Sequence, residues 1–346
     1  MLRRILISQS SEQTDLRKSA MVDWLSTIEA VAGIDPVPAS ADASFRRYFR
    51  LQTGSHSFIV MDAPPEQEDC TPFLRIATQL EAMQLNAPRI IEANIEQGFL
   101  LLTDLGSQLY LDELTERPDS APQLYGDAMR ALAKMQMNGT AYQATLPPYD
   151  EKLLRFELSL FHDWLCEKHI GIEFSADDEA QWQSLCDVLV ANALDQTQVF
   201  VHRDFHSRNL MRSGSDEPGI LDFQDAVEGP YTYDLVSLLK DCYVRWPSAQ
   251  IREWALAFYA MLESDTRAHA DAAVFFRQFE LMGVQRHLKA AGIFARLNHR
   301  DGKPGYMADI PRTLQYIVDL RSDYPELDFI GGLIVDRCLP PLRAES

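Results

Sequence analysis

Apolar and polar positions follow two different patterns along the chain. In the first hundred residues, short runs of β-type residues between glycines and prolines predict strands, with a hairpin of 44–51 and 58–62 around the turn at 53–55. The other elements predicted in this part are strands at 89–93 and 98–103 and helices at 16–32 and 72–85. This part of the sequence therefore predicts a small sheet with one or two helices.

From residue 104 onward, apolar residues recur mainly at helical spacing. The predicted helices are 123–138, 150–168, 177–192, 233–245, 251–264, 272–298 and 310–323. One non-helical segment, 199–228, interrupts them, with short β-type runs at 198–201 and 219–223. We expect an α/β (α+β) chain of two lobes, a small β-rich lobe at 1–103 and a larger, mainly helical lobe at 104–346.

Composition limits the class of protein and its partners. The 346 residues suffice for two compact units, and the excess of 51 acidic over 32 basic residues argues against nucleic acid and anionic membranes as partners. The apolar run near the start stops at Ser8, so a secretory signal is not expected, and no stretch is long enough to span a bilayer. The five cysteines form no CxxC pair, which favours a reduced, cytoplasmic protein.

The non-helical segment contains the residues that carry chemistry. It reads His202-x-Asp204-x4-Asn209, and Asp222 follows thirteen residues after the asparagine at the end of an apolar strand. Phosphoryl transfer needs such a set, because one carboxylate orients the acceptor hydroxyl while an amide oxygen and a second carboxylate hold Mg²⁺. The alternative interpretation is that the aspartates are turn or cap residues and the histidine is packed in the core.

The segments VHRDFHSRNL and GILDFQDA resemble the catalytic and metal-binding segments of the aminoglycoside phosphotransferase and choline kinase-like superfamily. The resemblance implies a two-lobed, protein-kinase-like fold, with 1–103 as the nucleotide-binding lobe and 104–346 as the catalytic and substrate-binding lobe. It implies that Asp204 is the catalytic base and that Asn209 and Asp222 bind Mg²⁺. We predict that His202, which starts the motif, is a catalytic residue together with Asp204. It also implies that Asp234 supports the catalytic loop, although a plain role at a helix N-terminus is not exclusive of this.

The N-terminal lobe is expected to bind ATP, but it departs from the kinase pattern. Residues 39–51 stand where a glycine-rich loop is expected, and Met61 or Asp62 stands where a strand lysine is expected. Arg46 and Arg47 are candidates to replace that lysine. Strand alternation lets only one of them face the nucleotide, and we favour Arg46. The alternative is that either is an exposed strand arginine.

Two further nucleotide contacts are predicted. Ser44 lies in the loop that replaces the glycine-rich loop. The run FLLLTDLG resembles the hinge between the lobes, which implies that the main chain of Leu101, Leu102 and Thr103 faces the adenine edge. The alternative is an ordinary core strand that leads into a turn.

Within the superfamily, DASFRRYFR, VMDAPPE, LLTDLG, HRDFHSRNL and QRHLKAAGIFARLNHRDGKPGY are most similar to the anomeric sugar kinases of bacterial peptidoglycan recycling. This resemblance implies an ATP-dependent transfer to the C1 hydroxyl of N-acetylmuramate and N-acetylglucosamine, and an α-1-phosphate product that passes to a uridylyltransferase. The alternatives are a kinase of the same fold that acts on an aminoglycoside, choline or homoserine, and a non-catalytic nucleotide-binding module.

The last predictions concern the acceptor. Residues 286–303 contain five basic residues and one acidic residue, a local reversal of the chain's charge. Our hypothesis is that Arg286 and Lys289 line the sugar pocket, where a cation meets the lactyl carboxylate of N-acetylmuramate; a solvated basic face is the alternative. His206, Arg208 and Asp225 are candidate substrate contacts because of their places near Asp204 and Asp222, with loop-shaping roles as the alternative.

Overall fold

The computed structural model describes residues 16–41, 45–54, 56–214, 216–267 and 270–344. By their internal contacts these residues form two compact units. The first contains the described residues up to 82 together with 87–106, and the second contains 83–86 together with the described residues from 107 onward.

The first unit contains a five-stranded antiparallel sheet in the order β1-β2-β3-β5-β4. Its strands are β1 (Val37–Ala41), β2 (Arg47–Thr53), β3 (His56–Asp62), β4 (Ile90–Asn94) and β5 (Phe99–Thr103). The predicted hairpin is β2 with β3, paired from Arg47 opposite Asp62 to Thr53 opposite His56. Gly54 has φ of 57° in the connecting turn, which glycine adopts without steric cost.

The two helices of this unit are α1 (16–26) and α2 (Thr71–Ala82). Helix α1 ends six residues earlier than the pattern predicts, because hydrogen-bonded turns follow it up to Gly33. One sheet face packs on α1 through a buried apolar cluster that contains Met21, Leu25, Val31, Phe49, Leu51, Val60, Phe99 and Leu101. Alternation directs the equally buried Met61, Leu100 and Leu102 to the other face.

The second unit is mostly helical. Its α-helices are α3 (Tyr110–Glu116), α4 (Ala121–Gly139), α5 (Glu151–Leu160), α6 (Ala176–Leu194), α7 (Tyr233–Leu239), α8 (Ser248–Met261), α9 (Ser264–Arg267), α10 (Ala272–Asp301), α11 (Ile310–Leu320), α12 (Asp328–Leu333) and α13 (Leu339–Ala344). The prediction of a β-rich N-terminal part and a helical remainder is confirmed. Among the described residues, no helix is both long and apolar enough to cross a membrane.

Helix α10 forms the centre of the second unit and packs against α5, α6, α7 and α11. The Asp271 carboxylate caps its first turn by accepting hydrogen bonds from the N–H groups of Ala273 and Val274, both at 2.9 Å. At Gly292 an added Cβ would lie 2.2 Å from the carbonyl carbon of Leu160. A glycine is therefore required where α10 crosses the end of α5.

Two predicted helices of this unit differ most from the observed ones. The predicted helix 150–168 is α5 followed by a π-helical segment, Phe161–Ile170, because the hydrogen-bond spacing widens from residue 161 onward. The predicted helix 233–245 ends at Leu239. Just beyond this end, the Asp241 side chain accepts a hydrogen bond from Tyr243 N at 2.9 Å, a local bond that competes with helix continuation.

The non-helical segment forms two small antiparallel ladders within this unit. One pairs β6 (Gln198–Val201) with β9 (Val227–Pro230), and the other pairs β7 (Leu210–Met211) with β8 (Gly219–Ile220). The loop between β6 and β7 and the residues after β8 are thereby held next to each other, and these two places contain the predicted catalytic and metal-binding residues.

Candidate active site

The loop from β6 to β7 forms a tight turn around Asp204. Its carbonyl oxygen accepts hydrogen bonds from His206 N and from Asn209 Nδ2, both at 3.0 Å. Among the residues that the structure describes, none donates a hydrogen bond to the Asp204 carboxylate, although the residue is half-buried. The backbone of this aspartate is therefore fixed while its carboxylate oxygens remain available to a ligand.

The charge on the Asp204 carboxylate is stabilised by neighbouring cations. Burial acts to raise its pKa, but the positive charges of Lys289, Arg286 and Arg203 lower the pKa to about 2. The group is therefore ionised at neutral pH. It is suited to accept a hydrogen bond from a hydroxyl and to take its proton as a bond to phosphorus forms.

Asp234, in the first turn of α7, holds the start of the loop. Its Oδ2 accepts a hydrogen bond from His202 N at 2.7 Å, and its Oδ1 accepts one from Arg203 N at 2.9 Å. Arg203 has φ of 78°, a left-handed conformation that costs a non-glycine residue free energy and that these two bonds help to fix. Burial raises the pKa of Asp234 to about 7, despite the two N–H donors. Asp234 is thus a positioning residue for the catalytic loop.

Glu157 of α5 forms ion pairs with two of the cations near Asp204. Its Oε1 lies 2.5 Å from Arg203 Nη2 and 3.0 Å from Lys289 Nζ, and its Oε2 accepts a hydrogen bond from the Tyr149 hydroxyl. Lys289 Nζ also donates to the Tyr233 hydroxyl at 2.8 Å. Burial acts to raise the pKa of Glu157, but Lys289 and Arg203 hold it below its ordinary value. The Lys289 ammonium is therefore engaged in a buried ion pair.

Asn209 and Asp222 lie side by side, because Leu221 N donates to the Asn209 carbonyl at 2.9 Å next to the β7–β8 pair. Asn209 Nδ2 lies 3.3 Å from Asp222 Oδ2, and Asp222 has φ of 60°, a strained conformation frequent at functional positions. With its nitrogen used in this way, the amide oxygen of Asn209 accepts no hydrogen bond from the described part of the chain. An amide oxygen and an exposed carboxylate fit a Mg²⁺ ion that keeps several waters.

The two histidines of the loop are buried and uncharged near neutral pH. Burial lowers the pKa of His202 to about 4 and also lowers the pKa of His206. His202 Nδ1 accepts a hydrogen bond from Asp204 N at 3.3 Å, so this ring helps to position the aspartate. The His206 ring packs edge-on against Tyr243, with ring centres 5.5 Å apart.

Asp241, which the sequence analysis does not single out, holds the other end of the loop. Its Oδ2 accepts hydrogen bonds from Ser207 N, at 3.0 Å, and from the Ser207 hydroxyl, while its Oδ1 accepts one from Tyr243 N. The residue is only 1% exposed. Its place inside the predicted helix 233–245 gives no signal of this role, because the partner is 34 residues away along the chain.

Two arginines near the loop have no carboxylate partner within ion-pair distance among the described residues. The Arg208 guanidinium carbon lies 3.8 Å from the centre of the Tyr243 ring. Arg286 of α10 is buried, and among the described residues its side chain has one hydrogen bond, to the Cys242 sulfur at 3.8 Å. Asp225 is exposed, and Gln224 Nε2 lies 2.9 Å from Asp222 Oδ1 and 3.5 Å from Asp225 Oδ2.

In the first unit, the candidate phosphate-binding arginines are both paired. Arg46 lies 3.1 Å from Glu68, and Arg47 Nε donates to the buried Asp62 at 2.9 Å. Asp62 also accepts a hydrogen bond from Arg17 Nε at 2.9 Å, on the sheet face that packs on α1. Arg47 lies opposite Asp62 in the hairpin, so it shares this face. Met61 points to the other face.

The predicted hinge residues lie in β5, between two neighbouring strands. Leu101 and Leu102 pair with β3 on one side and β4 on the other, so sheet partners already use their main-chain groups. Thr103 is the last residue of this strand, and its N–H donates to the Arg89 carbonyl at 3.0 Å. The sheet therefore already uses the main-chain groups through which Leu101 and Leu102 are predicted to contact adenine. Ser44 lies outside the described residues.

An ionised carboxylate in one loop with an adjacent amide and second carboxylate, in a chain with a sheet unit and a helical unit, fits a phosphotransferase. The chain belongs to the phosphotransferase enzyme family, whose model matches residues 35–305. It is 48% identical over 303 residues to the N-acetylmuramate/N-acetylglucosamine kinase of Pseudomonas aeruginosa, covering 86% of this chain and 87% of the relative. It is 38% identical to a protein of the same name from Neisseria meningitidis, covering 92% and 96%.

Solved structures agree on the fold. The ADP-bound aminoglycoside phosphotransferase APH(2'')-Ib aligns with a TM-score of 0.55 at 16% identity, covering 86% of this chain and 97% of that one. A choline kinase from Streptococcus pneumoniae aligns with a TM-score of 0.58 at 12% identity, covering 88% and 99%. The predicted superfamily and the protein-kinase-like fold are confirmed.

Proposed function

We propose that this chain is an ATP- and Mg²⁺-dependent kinase that phosphorylates the C1 hydroxyl of N-acetylmuramate and N-acetylglucosamine to the α-1-phosphate. The observation that carries the proposal is the Asp204 carboxylate, half-buried, ionised and accepting no hydrogen bond from the described residues. The two sugars come from the names of relatives that match most of the chain. The C1 position comes from the resemblance to anomeric sugar kinases.

In this proposal, Asp204 accepts a hydrogen bond from the sugar hydroxyl, orients it for in-line attack and takes its proton. His202, Asp234 and Asp241 are positioning residues that fix the loop. Asn209 and Asp222 hold the metal ion, which supplies charge neutralisation for the transferring phosphoryl group. Asp225, linked to Asp222 through Gln224, is a further substrate contact next to the metal site.

For the nucleotide, we infer that Arg46 is the phosphate cation of the first unit. Arg47 shares the buried Asp62 with Arg17, so moving it would uncover a buried carboxylate. Arg46 pairs with Glu68, and both side chains keep about a tenth of their surface exposed, at 11% and 13%. An exchange of Glu68 for a phosphate oxygen is therefore less costly at Arg46.

For the acceptor, Arg286 is the cation that we place in the sugar pocket, because Lys289 already pairs with Glu157. Arg286 is buried and helps to lower the pKa of Asp204, which supports a position near the reacting end of the sugar. His206 shapes the loop between these groups.

We also infer where the reaction belongs. ATP and a reduced thiol pool are cytoplasmic, and all five cysteines are free and buried. A sugar 1-phosphate is the substrate of a uridylyltransferase that forms a nucleotide sugar, so such an enzyme is the expected consumer of the product.

The test is an ADP-release assay across N-acetylmuramate, N-acetylglucosamine, an aminoglycoside and choline, with and without Mg²⁺. We expect turnover with the two amino sugars only, and loss of turnover when EDTA removes the metal. The rival kinase of another acceptor predicts turnover with the aminoglycoside or choline instead. A non-catalytic module predicts that no acceptor releases ADP.

A further inference from the structure

Arg208 is held against two aromatic rings beside the catalytic loop. Its guanidinium carbon lies 3.8 Å from the centre of the Tyr243 ring and 5.6 Å from the centre of the Tyr306 ring. Within the described ranges, no carboxylate lies in ion-pair distance of this group. The positive charge of Arg208 acts to lower the pKa of Asp309, but the Asp309 carboxylate pairs with Arg312 at 3.0 Å. The arginine therefore keeps its donors for a ligand.

The rings that hold Arg208 are themselves fixed. Asp241 accepts the N–H of Tyr243 and also that of Ser207, so one carboxylate ties the Tyr243 backbone to the catalytic loop. Tyr306 stacks on Phe294 of α10 with ring centres 5.5 Å apart. Tyr243 and Tyr306 are both half-buried, so an aromatic surface accompanies the cation. A flat cation on an aromatic surface suits an acidic sugar, whose ring packs on tyrosine while its carboxylate pairs with the guanidinium.

The cations near the loop can be ranked for this task. Lys289 already pairs with Glu157 at 3.0 Å, and Lys289 and Arg286 both act on the Asp204 carboxylate. Arg208 is not among the principal charges that act on Asp204. Arg208 instead lies on the Tyr243 ring at 3.8 Å, so we place it away from the reacting end of the sugar.

N-acetylmuramate and N-acetylglucosamine differ only by the lactyl ether on O3, which carries the carboxylate. We propose that Arg208, held on Tyr243, binds this carboxylate and thereby sets the preference between the acidic and the neutral sugar. This inference rests on the proposed sugar kinase function. It assigns the carboxylate to Arg208 rather than to Lys289, and it leaves Arg286 at the reacting end.

The first test needs no variant. The wild-type protein is compared on N-acetylmuramate, its methyl ester and N-acetylglucosamine by kcat/KM. Because the ester keeps the lactyl group but loses the charge, we expect its kcat/KM to fall at least about tenfold below that of the acid. An ester that is used as well as the acid would contradict the inference.

The second test measures the ratio of kcat/KM for N-acetylmuramate to that for N-acetylglucosamine in variants. Arg208→Gln is expected to lower this ratio about 10- to 100-fold, mainly through KM for the acidic sugar, and Arg208→Lys is expected to lower it less. Tyr243→Leu, which removes the ring under the guanidinium, should lower the ratio in the same direction, whereas Tyr243→Phe should keep it.

The matched control is Arg252→Gln. Arg252 of α8 lies on an aromatic ring in the same way, 4.2 Å from the centre of Phe276, and the ratio should not change when it is replaced. Equal losses on both sugars in Arg208→Gln would overturn this inference alone and leave the sugar kinase function standing. Absence of turnover with both sugars in the wild type would overturn both.

Discussion

The arginines of the sheet unit and those around the catalytic loop differ in their carboxylate partners. In the sheet unit, arginines meet carboxylates directly: Arg17 and Arg47 with Asp62, Arg46 with Glu68, and Arg50 with Asp104. Around the catalytic loop, two of the buried carboxylates, Asp234 and Asp241, bind backbone N–H groups instead. Arg208 and Arg286 therefore lack a carboxylate partner among the described residues.

This difference shows how an acidic chain can serve an anionic substrate. The net charge of −19 by itself suggests a cationic ligand. Locally, however, the acidic groups already have other contacts. Some fix the loop, Glu157 pairs with two cations, and others form the expected metal site. The unpaired arginines make the acceptor region locally favourable for phosphate and carboxylate groups.

The largest expected effect comes from Asp204→Asn. An amide cannot take the acceptor proton, so we expect kcat to fall about 10²- to 10⁴-fold while ATP affinity, measured by calorimetry, stays near that of the wild type. Asp195→Asn, an exposed aspartate at the end of α6, is the control and should keep full activity. Near-normal turnover in Asp204→Asn would show that Asp204 is not the catalytic base.

The expected metal site gives the next effect. Asp222→Asn replaces a charged oxygen ligand by a neutral amide, so the Mg²⁺ concentration for half-maximal activity should rise, by roughly 10- to 100-fold. A Mg²⁺ titration of the steady-state rate measures this shift. A variant that loses activity with an unchanged Mg²⁺ requirement would show that Asp222 acts in another way.

Arg286 and Lys289, three residues apart on α10, sharpen the comparison. Lys289→Met breaks a buried ion pair and should destabilise the fold by about 3–5 kcal/mol, whereas Arg286→Met breaks no ion pair and should cost less stability but more kcat/KM. Chemical denaturation and steady-state kinetics separate the two. Equal stability losses would contradict the distinction.

Lys289→Met has a second consequence for pH. The charge of Lys289 helps to lower the pKa of Asp204 to about 2, so its removal should raise that pKa. Activity needs the ionised carboxylate, which is lost as the pH falls through this pKa. The acid limb of the kcat/KM profile should therefore move to higher pH in the variant. A profile that does not move would argue against Asp204 as the titrating group.

The smallest effects are expected in the sheet unit. Arg46→Gln should raise KM for ATP, by about threefold to tenfold, because a phosphate contact is lost. Arg47→Gln should mainly lower the melting temperature, because the buried Asp62 then keeps only Arg17. The opposite pattern would place Arg47, rather than Arg46, at the nucleotide.

The sequence predicts the parts of the molecule that depend on local patterns. The β2–β3 hairpin follows from alternation around a glycine turn, and the spacing of Asp204, Asn209 and Asp222 predicts their juxtaposition because a short ladder brings the two strands together. Both signals lie within a few dozen residues of chain.

The parts that depend on tertiary contacts could not be predicted in this way. Glu157 reaches Lys289 across 132 positions of sequence, and nothing near either residue indicates the pair. The end of α7 at Leu239 and the use of Asp241 depend on a loop 34 residues away. The strand pairing on both sides of Leu101 and Leu102, which occupies their main-chain groups, likewise depends on strands elsewhere in the chain.

Transfer to the anomeric hydroxyl is tested most directly by counting reducing ends during turnover. Phosphorylation at C1 blocks the reducing end of the sugar, whereas phosphorylation at any other hydroxyl leaves it intact. With N-acetylmuramate and N-acetylglucosamine, we predict that one reducing end is lost for each ADP released. ADP release with an unchanged number of reducing ends would contradict it.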